Sequence, residues 1–470
     1  MTSPRVISLQ RKAATAALAL CLGGLAACST VGSAVGRLNP FGGGDDGPEA
    51  QAAEGRRISV VAFDQTVTAA EALAGVDFAL PEAQPLADWP LPGGTAEQSV
   101  EHIQAAPNFE IAWRKSIGRG ADRRHHVTAP PVAAGGRVFT MDGEAGVTAS
   151  DAASGDQVWR VNLQPSEGRD REAFGGGLAY ADGTLFVTSG FRFVAALDAA
   201  TGAVRWTTPV DAPIHSAPNV AGGRVFVVST DNELNAFDAA TGAPIWTYQA
   251  LAESARILAA SSPAVSGDTV IAPFASGELV ALLAANGNDL WTDVLSRASR
   301  TSALSEIRDI AGRPVIYRGD VFAASHSGVF SATDLRTGSR RWSLPVVSIT
   351  SPWPAGDVVY VVSRAGELIC VARDSGQVYW IRDLNEGRER SEGGFLGAFD
   401  REVRPTWSGP VLASGRIVMV NTFGEAAAVN AKTGVIEKTV NLGAPAFIAP
   451  IAVNGTVYAV TDDATLVAIR

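Results

Sequence analysis

Cysteine is almost missing from this chain of 470 residues: only Cys21, Cys28 and Cys370 occur, two of them in the first 28 positions. A disulfide framework therefore does not hold the fold together. Charge is also scarce, at 18% of residues against 46% hydrophobic, and its balance is acidic, with a formal net charge of −10. Such a surface lacks the basic face that nucleic-acid phosphates require, and this excludes nucleic acid as a partner. The uncharged apolar stretch 13–27 spans 15 residues, short of the roughly 20 that a helix needs to cross a bilayer. Reactive signatures are lacking too. No two cysteines are adjacent, and there is no Cys-x-x-Cys-His, no Gly-x-Ser-x-Gly elbow and no P-loop. The five histidines, His102, His125, His126, His215 and His326, are scattered. The adjacent pair His125-His126 would point to opposite faces of an extended segment, which reads as a polar loop rather than a metal site.

Glycine, by contrast, is abundant at 49 residues, the profile of a turn-rich β protein. Residues 1–27 read as a signal peptide, with Arg5, Arg11 and Lys12 ahead of the apolar stretch. The stretch ends in Leu25-Ala26-Ala27-Cys28-Ser29, which resembles a bacterial lipobox, so Cys28 is the expected lipidation site. Several acyl chains on one cysteine exceed the two hydrophobic signals that stable anchoring takes. Cleavage before Cys28 removes those three positive side chains and takes the net charge from −10 to −13. Residues 28–57 read as a flexible tether, including Gly42-Gly43-Gly44-Asp45-Asp46. Residues 58–108 are expected to pack along the outside of the main domain, with a strand at 58–63 and a short helix at 68–73.

From Phe109 onward one unit recurs. Asp198-Ala-Ala-Thr-Gly-Ala-Val-Arg-Trp206 returns as Asp238-Ala-Ala-Thr-Gly-Ala-Pro-Ile-Trp246, with weaker copies ending at Trp159, Trp291, Trp342 and Trp380. A further copy has Lys438 in the tryptophan slot, and the spacings run from 38 to 58 residues. Periods of this length denote an array of supersecondary units. In each unit, short β-branched runs are separated by Gly and Asn/Asp turns, giving four antiparallel strands. Seven complete units follow one another, and 448–470 supplies only three strands of another. The strand around Trp113 lies at the other end of the domain and is its expected fourth, which would close a ring. The expected fold is all-β: an eight-bladed propeller of four-stranded antiparallel blades over 109–470, its last blade closed by an N-terminal strand. Tryptophan is expected to wedge the rim, the Thr-Gly pair to close the hairpin, and Lys438 to leave the seventh blade the least well wedged. Cys370, in Leu368-Ile-Cys-Val-Ala372, reads as a core residue.

The Asp-x-x-Thr-Gly-x-x-x-Trp unit resembles the repeat of pyrroloquinoline-quinone (PQQ) dehydrogenase propellers and their non-catalytic relatives. With the lipobox, the chain is similar to the BamB family over residues 105–470. That resemblance implies a non-enzymatic scaffold without cofactor or metal, lipid-anchored on the periplasmic face of the outer membrane. Its implied partners are a POTRA domain of BamA, other subunits of the β-barrel assembly machine and unfolded outer-membrane proteins, the last through open strand edges. In the family, a Leu-rich, Arg-bearing loop and nearby carboxylates dock the POTRA domain. Here they fall on Arg256, Ile257 and Leu258, and on Arg308 and Asp309. The match is partial: Arg256 precedes the apolar pair, and the second carboxylate position holds Ala311. The insertion 385–405 is a further candidate surface. The alternative is a quinoprotein dehydrogenase, which needs a Ca²⁺ site of converging carboxylates, whereas Asp142, Asp231, Asp462 and Asp463 all read as turn residues. A polysaccharide-binding propeller is the third class.

Overall fold

The computed structural model describes residues 67–123, 125–165, 175–252, 261–296, 307–392 and 401–470. Eight four-stranded antiparallel sheets form the blades of a propeller. Blade 1 runs through Val132–Ala134, Arg137–Met141, Gly146–Asp151 and Gln157–Asn162. Blades 2 to 7 span 176–209, 219–249, 264–294, 315–344, 353–383 and 407–441 in the same order of strands. Blade 8 takes Ile451–Val453, Thr456–Thr461 and Thr465–Ile469 from the C-terminus and Ile111–Ser116 from the N-terminal side. There Trp113 pairs with Ala468 and Ser116 with Thr465, so the expected closing strand is in place.

The second and third strands of each blade are covered on both faces by neighbouring blades. They are accordingly continuous apolar runs, such as Val225–Val228 within Arg224–Val228, rather than alternating ones. Cys370 lies in such a strand, fully buried, and burial pushes its thiol pKa well up. The fourth strand alternates between half-buried and exposed because only its inner face meets a neighbour.

Every fourth strand carries a β-bulge one residue before the tryptophan slot, for example between the pairs Ala236–Trp246 and Phe237–Pro244. The bulge re-aims the large side chain. The indole then lies over the turn glycine of the following blade, which follows Thr, Ser or Asn. A Cβ at Gly155, Gly202, Gly242, Gly287, Gly338, Gly376 or Gly434 would come within 2.5–2.9 Å of the preceding blade's tryptophan. The same glycines have φ of +71° to +77°. Glycine is thus required twice over, by the backbone and by the ring that presses on it. Six of the seven indoles also donate Nε1–H to a carbonyl of that turn, at 2.7–3.2 Å. The seventh, on Trp380, is buried without a partner, and the Ala431 carbonyl of its turn accepts the Tyr360 hydroxyl at 2.8 Å.

Lys438 has a different explanation from a missing wedge. Its neighbour is blade 8, where the turn between third and fourth strands does not exist because the two chain segments meet there. No turn glycine is available for an indole to cover. Instead Lys438 Nζ reaches the Asn108 carbonyl at 2.6 Å and Glu110 Oε1 at 3.0 Å. Arg114 returns the contact to the Asn441 carbonyl at 2.6 Å.

The aspartate of each unit organises the turn. Asp198 Oδ1 accepts from Ala200 N, Thr201 N and Thr201 Oγ1, at 3.1, 3.0 and 2.9 Å. Arg205 donates to its Oδ2 at 2.7 Å, and with the Thr201 hydroxyl holds the carboxyl pKa down to about 2. Asp151, Asp238 and Asp334 are lowered by equivalent turn bonds.

Trp206→Ala is expected to cost about 3 kcal/mol, and Gly242→Ala a comparable amount. Lys438→Trp should lower stability although it restores the repeat consensus. Urea unfolding followed by far-UV circular dichroism reads all three, and a stabilised Lys438→Trp would show that blade 8 can accept an indole at this junction. Because folding depresses these aspartates, their contribution is complete above the unfolded value of about 3.9. For Asp198 it is lost as pH falls through about 2. Acid titration of near-UV circular dichroism should therefore show a loss in that window that Asp198→Asn reduces.

Candidate functional site

Antiparallel blades give the ring two unlike faces. One carries the turns between first and second and between third and fourth strands. The other carries the turns between second and third strands and every connection from blade to blade.

The turn face is sealed. Residues 84–106 travel once around the channel mouth and bond to all eight blades. Asn454 N donates to the Leu86 carbonyl at 2.8 Å, and Ala133 exchanges two backbone bonds with Trp89 at 2.6 and 2.8 Å. Tyr180 N meets Pro90 at 2.7 Å. Val265 N at 2.7 Å and Asn219 Nδ2 at 2.8 Å share the Ala96 carbonyl. Ile316 N reaches Glu97 at 2.9 Å, and Trp353 Nε1 reaches the Glu101 carbonyl at 3.0 Å. Ile103 N then donates to Leu412 at 3.1 Å, and Ala106 N to Gly455 at 2.8 Å, returning to blade 8. This strap goes deeper than an outer covering: Trp89 is 1% exposed and Ile103 fully buried, both in the main core. His102 bridges it to blade 7. Gly415 N donates to Nε2 at 2.8 Å, which leaves the proton on Nδ1 to donate to the Pro81 carbonyl at 2.7 Å. Of the expected elements upstream, the helix reduces to one 3-10 turn, Glu71–Leu73, and the strand at 58–63 lies outside the described residues.

The long connections gather on the opposite face. Arg256, Ile257 and Leu258 lie outside the described residues, as does Cys28. Arg308 is exposed, whereas Asp309 is 4% exposed, and its backbone carbonyl accepts from His326 N at 2.9 Å. Burial makes Asp309 a support for the loop rather than a group presented at the surface. Beside it, Arg364 Nη1 donates to His326 Nε2 at 2.7 Å, and burial followed by the Arg364 charge lowers the imidazole pKa. The outer strands of blades 3, 4 and 5 end on this face in exposed apolar residues: Leu251 (67%), Val294 (48%) and Val347 (38%). Within the 385–405 insertion, Arg390–Glu392 pairs with Arg401–Val403 as a small hairpin. The histidine pair diverges as an extended segment requires, His125 buried against Asp122 and His126 exposed.

Between the two faces the channel widens into a cavity of about 330 Å³. Aligning the inner strands by their pairing registers puts Pro130, Gly177, Ala217, Ser262, Arg313, Ser351, Gly409 and Ala449 at one equivalent position. That position is three residues, about 10 Å, inside the strap. The described residues lining the cavity include Trp89, Gln98, His215, Thr350 and Trp353 but no carboxylate. Ca²⁺ needs six to eight oxygens, several from carboxylates, so these residues do not fit the metal that a quinoprotein centre uses. Among the described residues no group of three His, Cys, Asp or Glu is placed to hold a metal ion. Asp142 is spent on its turn, accepting from Arg119 N, Glu144 N and Gly146 N at 3.0, 3.0 and 2.7 Å.

These features define a PQQ-like repeat propeller with one sealed face and one face of long loops. The family model described as outer membrane protein assembly factor BamB matches residues 97–169, 143–382 and 383–470. The chain belongs to that family. Outer membrane protein assembly factor BamB of Escherichia coli (strain K12) is 27% identical over 385 residues, covering 80% of this chain and 93% of that protein. The factor of the same name from Salmonella typhimurium is 29% identical over 297 residues, covering 61% and 76%. Among solved structures, BamB from Moraxella catarrhalis superposes with a TM-score of 0.58 at 20% identity, over 76% of this chain and 98% of that one. Quinohemoprotein alcohol dehydrogenase from Comamonas testosteroni gives 0.61 at 14% identity, over 81% and 80%. Both structural likenesses show the fold alone.

Sequence reasoning missed the strap and Arg313. The strap has no periodicity to reveal it. Arg313 stands out as the one large residue in a series of small ones only once the inner strands are aligned by their pairing registers. Trp89→Ala is expected to cost about 3–5 kcal/mol and to expose 84–106 to limited proteolysis. A variant that keeps wild-type stability and protease resistance would show that the strap is not integral to the core.

Proposed function

We propose that this chain is a non-enzymatic scaffold of the outer-membrane β-barrel assembly machine, held by lipid on Cys28 at the periplasmic face of the outer membrane. Its loop face docks a POTRA domain of BamA, through the loop holding Arg256, Ile257 and Leu258 and the connection holding Arg308 and Asp309. The observation that carries this reading is the asymmetry of the ring. The strap occupies one mouth with bonds to all eight blades, so the long connections and the exposed Leu251, Val294 and Val347 are left on the other. An apolar centre ringed by charge is the composition of an interface hot spot. Family membership supports the assignment to barrel assembly. In this role the protein acts by position, holding partner domains at a fixed spacing from the membrane while the rigid ring resists deformation.

Co-purification of BamA with the tagged full-length chain tests the reading. Ile257→Asp and Arg308→Glu should each reduce recovery about tenfold while leaving the melting temperature unchanged. Asp309→Asn should lower the melting temperature first, because that carboxylate is buried. Undiminished recovery with both Ile257→Asp and Arg308→Glu would rule out this docking face.

A further inference from the structure

The propeller centre holds a cation that its own fold does not explain. At the position where the eight inner strands converge, seven blades supply glycine, alanine, serine or proline, and blade 5 supplies Arg313. Small residues are what convergence demands, so a guanidinium there is not a packing choice. Its side chain is half-buried and makes no hydrogen bond or ion pair with any described residue, and Nε is sealed from solvent without a partner. No carboxylate is present among the described residues lining the cavity, in a chain whose net charge is −10. Withdrawing a charge from water without a partner is costly, and charges so placed are as a rule paired. Desolvation lowers the Arg313 pKa only to about 10, so the group stays charged at neutral pH.

The surroundings specify the ligand further. The cavity of about 330 Å³ is within the range of small-molecule sites. The strap closes its floor, where Trp89 and Trp353 lie nearly parallel with centroids 6.2 Å apart. Ile349, Val411, Ile448 and several prolines make the walls mainly apolar, with Ser262 and Ser351 hydroxyls at the level of Arg313. One guanidinium fork matches one planar carboxylate through two parallel hydrogen bonds. A phosphate dianion would bring a second charge that nothing described there neutralises. We infer that the blind channel is a binding site for a small carboxylate carried on an apolar body, with Arg313 as its anionic-group receptor. This site is independent of the docking face.

The test titrates the full-length protein with benzoate, benzamide and inorganic phosphate, reading melting temperature and tryptophan fluorescence. Benzoate should raise the melting temperature in a concentration-dependent way, while the isosteric benzamide and phosphate leave it unmoved. Arg313→Gln should abolish the benzoate response, and without ligand it should melt at or above the wild-type temperature because the unpaired charge is gone. Arg313→Lys should keep a response at least tenfold weaker in midpoint. Equal responses to benzoate and benzamide would overturn the proposal. So would a phosphate response as large as that to benzoate, a benzoate response surviving in Arg313→Gln, or an Arg313→Gln protein that is unfolded or less stable, since Arg313 would then be serving the fold.

Discussion

The indole laid over a glycine of the next blade is the contact on which the ring depends. A propeller blade is a sheet with two faces to cover, and each face is covered only by a neighbour. The seven Trp–Gly contacts fix the distance and angle at which neighbours meet near the rim, and most add a hydrogen bond from the indole to the same turn. The rest of the repeat serves that contact. The bulge aims the ring, the aspartate shapes the turn, and the glycine lets the ring approach.

Closing such a ring leaves one junction unlike the rest, since a linear chain has two ends. Here the junction lies between blades 7 and 8, and the chain replaces aromatic packing with Lys438, Glu110 and Arg114 reaching across it. These groups are largely exposed, so their ion pairing contributes little. The closing backbone ladder from Ile111 to Ser116 and the strap supply what the aromatic wedge does not. The ring is in effect closed twice, once in the plane of the sheets and once around the mouth.

How much was legible in the sequence follows from what is local. Blade number, strand order, the closing strand at Trp113 and the burial of Cys370 were readable because each repeats a nine-residue pattern or a short apolar run. The strap was not readable. Its bonds join residues 44 to 368 positions apart, such as Trp89 with Ala133 and Leu86 with Asn454, and nothing in its composition records them. The residues proposed for docking divide in the same way. Arg308 was named from its loop and is exposed, whereas Asp309, the next residue of the same loop, is buried, because burial in a connection is decided by the blade behind it. Arg313 becomes conspicuous only after the blades are aligned by register, a comparison that needs the ladders rather than the letters.

The entry of the chain into the ring has a mechanical consequence. Residues 70–78 come in across the rim of blades 6 and 7, where Ala70 N bonds to the Val378 carbonyl at 2.8 Å and Lys432 holds Asp77 and the Phe78 carbonyl. A pull on the N-terminal side of residue 67 is therefore borne first by the rim of blades 6 and 7, and then distributed by 84–106 over every blade. The closing strand at 111–116, whose ladder would otherwise be peeled open one bond at a time, stays out of the load path. A chain tugged from its leading end tightens around its own hub instead of unzipping at its joint.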